Sequence, residues 1–134
     1  MKIEFMEQKE AEKIDPSVKM AVISIATVNS ANTRRLKEGW GARIDLDFCD
    51  VNEKAKEEGT VCFDIEMARK LAEWVKNLPQ SINHIVVHCF QGMSRSAAIA
   101  KVLLEKQGQD IPDIYEPYYN KLVYKLFKEA MNEK

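Results

Sequence analysis

The chain has 134 residues, 46% of them hydrophobic and 31% charged, which is the size of one domain with apolar material for one core. Lys and Arg total 20 against 21 Asp and Glu, so the net charge of −1 excludes a global field for gathering DNA, RNA or an anionic membrane. Any anion must be held by a local site.

The opening stretch MKIEFMEQKEAEKI carries acidic residues and no continuous apolar run, so it is not expected to act as a signal peptide. The longest apolar stretch, Met20 to Ala26, is interrupted by Ser24 and is too short to span a bilayer. Three cysteines, Cys49, Cys62 and Cys89, are an odd number without metal-ligand spacing, which argues against a disulfide framework or a zinc site. At least one free thiol fits a reducing compartment, and a soluble cytoplasmic protein is expected.

In chain order, Lys2 to Met6 alternates enough for a short first strand, and Met20 to Thr27 is a β-branched apolar run suited to a buried one. From Arg43 to Cys49 the alternation is strict. Ile44, Leu46 and Phe48 share one face and Arg43, Asp45, Asp47 and Cys49 the other, as in a half-buried strand. Asp64 can cap a helix whose apolar positions Ile65, Ala68, Leu71, Ala72, Val75 and Leu78 follow the 3.6-residue period up to Pro79. Ile82 to His88 holds Ile85, Val86 and Val87 in succession, the pattern of a central strand covered on both faces, with His84 as an exposed position.

Ser94 to about Gln107 is apolar around most of a helical circumference and is followed by Gly108 as a C-terminal cap, which predicts the most buried helix. A last helix is expected to begin near Pro117 and to repeat Tyr119, Leu122, Val123, Leu126, Phe127 and Ala130. Strands separated by helices predict a single α/β domain over residues 1–134, with about four to five largely parallel strands and helices on both faces. Sites in such sheets form at the carboxyl ends of strands, here after Thr27, after Cys49 and after His88. Trp40, Trp74 and the tyrosines at 115, 118, 119 and 124 read as packing residues, and Arg34, Arg35 and Lys37 as a solvated loop.

The third of those loops carries the chemistry. From Val87 the sequence reads V-H-C-F-Q-G-M-S-R-S, between a buried strand and an apolar helix. The backbone N–H groups of Phe90, Gln91, Gly92, Met93, Ser94 and Arg95 can curl around one tetrahedral oxyanion, because the loop runs into a helix N-terminus with unsatisfied donors. Gly92 permits the torsions of so tight a curl. Arg95 can return to the same centre with two parallel charge-assisted hydrogen bonds to phosphate oxygens. Cys89, at the floor of the cradle, would be held as a thiolate by the same donors, a good nucleophile toward phosphorus. Ser96 could donate to the departing thiolate, and His88 is better placed to orient the loop than to act as a base.

His88, Cys89, Gly92, Ser94, Arg95 and Ser96 match the H-C-x-x-G-x-S-R-S signature of the dual-specificity branch of the protein tyrosine phosphatase superfamily, and the chain resembles that family more loosely from about Ile44 through the last helix. The resemblance implies a cysteine-dependent phosphatase that forms a phosphocysteine intermediate and needs no metal or other cofactor. It implies an aspartate on a loop after an upstream strand as general acid, and Asp50 looks like its counterpart, with Asp47 in reserve. The loop from Asp50 to Thr60 is longer than in small members of the family. No lysine lies between Cys89 and Arg95, and Arg95 is followed by Ser rather than by the Thr-Gly typical of the larger tyrosine-specific enzymes, so a phosphoprotein substrate is favoured over a phosphoinositide. Phosphate and similar oxyanions are expected as product or inhibitor, no nucleic acid or membrane as partner, and a monomer as the working form. Two other readings stand beside it: a catalytically silent phosphate-recognising module, and a sulfurtransferase or arsenate reductase with a cysteine at the start of an anion-binding loop.

Overall fold

The computed structural model describes residues 1–27, 34–51 and 60–133. Four strands form one all-parallel sheet: β1 (Lys2–Glu7), β2 (Met20–Ala26), β3 (Ala42–Asp47) and β4 (His84–Cys89), in the order β1-β4-β2-β3. Strand β4 is central, and Ile85, Val86 and Val87 are buried on its two faces, which is why that run carries no alternation. Strand β3 is an edge. Ile44 and Leu46 are buried while Arg43, Asp45 and Asp47 face outward, and charge on an exposed edge discourages pairing with another chain.

The inward residues Ala21, Ile23, Ile25, Ile44, Leu46, Ile85, Val87 and Cys89 build one core with three helices, α2 (Ile65–Lys76), α3 (Arg95–Glu105) and α4 (Lys121–Asn132), following α1 (Gln8–Lys13) in the chain. On the opposite face Val22, Ser24, Val86 and His88 are fully buried, and α1, with Ala11 and Gln8 buried, lies against β1 and β4. Helices therefore cover both faces, as the pattern predicts. Helix α1 itself is not foreseen, because QKEAEK has a single apolar residue and no periodicity to read.

Helix α2 starts as expected, with Asp64 Oδ1 accepting from Met67 N–H at 2.8 Å. Helix α3 is buried from Arg95 through Leu103 and ends in the expected glycine cap: Gly108 has φ +75°, and Gln109 N–H returns to the Leu104 carbonyl at 2.9 Å. Three expectations need correction. The last helix begins at Lys121, not near Pro117; Pro117 is exposed in a turn after a 3-10 helix (Asp113–Tyr115), and Asn120 is the cap, its side chain accepting from Val123 N–H at 3.0 Å. His84 is half-buried rather than exposed and sits 2.6 Å from Glu4 on β1. Arg34 is no solvated loop residue, since its Nη2 donates to the Leu46 carbonyl at 2.9 Å and to the Asp47 carboxylate. No helix among the described residues is long and apolar enough to cross a membrane.

Candidate active site

All four strands point their carboxyl ends the same way, so the segments after β2, β3 and β4 meet at one edge of the sheet. Cys89 is the last residue of β4 and 2% exposed. Its Sγ lies 3.1 Å from Ser96 Oγ and accepts from Gly92 N–H at 3.2 Å. The N–H groups of Phe90, Gln91, Met93, Ser94 and Arg95 meet no backbone acceptor among the described residues. A bound anion is the natural partner for such a set of N–H groups at the start of a helix.

Gly92 makes this turn possible in two ways. Its φ is +71°, and a Cβ there would stand 2.3 Å from Glu7 N and 2.5 Å from the Met6 carbonyl carbon, so the loop packs directly on the end of β1. The Phe90 carbonyl accepts from Gln8 N–H at 3.2 Å, which fastens the same contact. Gly92→Ala is expected to cost about 2 kcal/mol or more, because the opposing atoms are backbone and cannot swing aside. Urea unfolding together with phosphate affinity checks this; unchanged values for both would show that the loop is not held as described.

Arg95 is 5% exposed. Its Nη1 donates to the Phe48 carbonyl at 2.7 Å and to Thr27 Oγ1 at 3.2 Å, and the guanidinium carbon is 5.8 Å from the Phe48 ring centroid. Its buried Nε has no partner among the described residues. One edge of the fork is thus anchored to the ends of β2 and β3, and a second donor is left over, which is the arrangement a phosphate oxygen can complete.

Asp50 is exposed, and its Oδ1 accepts from Ser94 Oγ at 2.7 Å and from Asn120 Nδ2 at 2.8 Å. It therefore touches the cradle loop itself. Asp47 points to the other face of the sheet, where Arg34 engages its carboxylate, so the reserve position is turned away from Cys89. Residues 52–59, most of the long loop after Asp50, lie outside the described residues. Ser94 differs from its expected place inside the helix: it precedes Arg95 with φ −117°, makes no side-chain cap, and spends its hydroxyl on Asp50.

His88 projects to the face opposite Cys89, as its neighbour along a strand must. It is fully buried, and its Nε2 lies 2.6 Å from Ser24 Oγ, the residue paired with it across β2 and β4. Burial, with Arg34 adding to it, pushes its pKa from 6.5 down to about 4, despite an opposing contribution from the Cys89 backbone. The unfolded chain then takes up a proton below about pH 6.5 that the folded chain refuses, so stability present above that pH falls toward pH 4. A displacement of that size corresponds to about 3 kcal/mol. Urea unfolding between about pH 7 and pH 4 should show this slope, and His88→Gln should flatten it; an equal slope in both proteins would assign the acid sensitivity to other groups.

Cys49, Cys62 and Cys89 form no disulfide among the described residues. Thr27, the Phe48 carbonyl and Asn120 are the participants that sequence reasoning misses. Asn120 alone left a signal, as an Asn ahead of an apolar-periodic segment is a cap pattern. Comparison with protein-family models, with curated proteins and with solved structures finds no match for this chain.

Proposed function

We propose that the protein is a cysteine-dependent phosphomonoesterase of dual-specificity type, acting on phosphoprotein. The observation that carries this reading is the pairing of a buried thiol at a strand end with a buried arginine six residues on, anchored through Nη1 and with Nε unpartnered among the described residues. Phosphate in the loop would meet the free N–H groups and Arg95, donors that also fit the charge of the transition state. Cys89 Sγ attacks phosphorus as the ester P–O bond breaks, and the leaving oxygen takes a proton from Asp50. Water then hydrolyses the phosphocysteine, with Ser96 Oγ donating to the departing sulfur and Asp50 accepting the water's proton.

Hydrolysis of a simple aryl phosphate in excess EDTA tests the reading. Turnover inhibited by vanadate is expected, together with alkylation of Cys89 by iodoacetate ahead of Cys49 and Cys62 and protection by phosphate. Phosphate binding without turnover would favour the silent recognition module, for which the retained cradle would suffice. Absence of both would remove the phosphate site altogether.

A further inference from the structure

Asn120 is fully buried and stands 70 residues from Asp50 in the chain. Its Nδ2 donates to Asp50 Oδ1 at 2.8 Å and to the Val51 carbonyl at 2.9 Å, while its Oδ1 accepts from Val123 N–H at 3.0 Å. Its own N–H donates to the Ser94 carbonyl at 3.1 Å. The orientation of the amide follows from these partners. A reversed side chain would set its oxygen against a carboxylate and a carbonyl and its NH2 against an N–H donor. One residue thus ties the Asp50 segment, the end of the cradle loop and the first turn of α4 to one another.

The geometry points to Asn120 as the positioning residue of the general acid: with Ser94 it holds Asp50 by Oδ1 and leaves Oδ2 as the oxygen that carries and delivers the proton. This rests on the phosphatase reading above. Both donors converge on Oδ1, and Oδ2 has no partner among the described residues. As the P–O bond breaks, the Oδ2 proton passes to the ester oxygen and negative charge develops on the carboxylate. The Ser94 hydroxyl and the Asn120 amide are already in place to receive that charge, because hydrogen bonds to the ionised form favour it. Through Val123 the same amide is braced on α4, which packs against α2 and α3, so an exposed carboxylate is aimed by a buried scaffold.

Asn120→Ser and Asn120→Thr both retain a hydroxyl that can cap α4 but lose the two-donor amide, so the cap is kept while the hold on Asp50 is released. Expected is a fall in kcat of about tenfold or more on phenyl phosphate and a several-fold smaller loss on a nitrophenyl phosphate, whose leaving group needs no proton. In an Asp50→Ala background, Asn120→Ser should add less than about twofold, since a positioning residue has nothing left to position. Equal losses on both leaving groups, or a full further loss in the Asp50→Ala background, would overturn the inference and leave Asn120 a structural cap. A wild-type chain that does not turn over either substrate would remove the phosphatase reading and the inference with it. Turnover with additive losses would remove the inference alone.

Discussion

Cys89→Ser should reduce phosphate-ester turnover by on the order of 10⁴ or more, as when a nucleophile is removed from a group that acts as a unit. Phosphate or vanadate affinity should stay within about an order of magnitude, because the cradle is built from backbone donors and Arg95 rather than from the sulfur. Serine keeps the shape of the site, where Sγ accepts from Gly92 N–H and lies beside Ser96 Oγ, so the loop should not rearrange. Arg95→Lys should behave differently. An ammonium carries its donors on one atom and lacks the planar fork, so it cannot hold the Phe48 carbonyl and Thr27 hydroxyl with one nitrogen while a separate nitrogen faces the phosphate, and binding and rate should fall together. Turnover by Cys89→Ser above a few per cent of wild type would end its assignment as nucleophile.

Asp50→Ala should lower kcat by about 10² to 10⁴ on a phenolic or alkyl phosphate, the range for a positioned general acid, with little change in substrate affinity. The loss should shrink as the leaving group improves. Asp47→Ala is the internal control, since that carboxylate is engaged by Arg34 on the far face of the sheet. If Asp47→Ala showed the leaving-group dependence and Asp50→Ala did not, the acid would have been misassigned. If neither did, the silent recognition module would gain ground, or the proton would come from residues 52–59.

Much of the sheet was legible because each strand's surroundings leave a local mark. The alternation from Arg43 to Phe48 reports an edge with one buried face, and the unbroken Ile85-Val86-Val87 run reports a centre. Helix α2 announced itself through Asp64 and a regular apolar face. Helix α1 did not, since six largely charged residues are held by docking on β1 and β4 rather than by any pattern of their own. Pro117 misled for a related reason: a proline suits a first helical turn and an ordinary turn equally, and the buried amide of Asn120 decided between them.

By itself the sequence determined the cradle: a thiol, a glycine and an arginine within seven residues, between a buried strand and an apolar helix. All of that is short-range, because loop donors, a positive φ and a helix N-terminus depend on neighbours a few residues away. Only the tertiary structure decided how the cradle is completed. Arg95 is anchored by Phe48 and Thr27, Asp47 is turned to the far face of the sheet, and Asn120 reaches Asp50 from the start of the last helix. Those contacts join residues 47 to 70 positions apart, and they arise from strand order and from how α4 packs on its neighbours. No periodicity along a chain records which distant segments a fold will bring together, so a polar residue's partner stays unread until the layers are stacked.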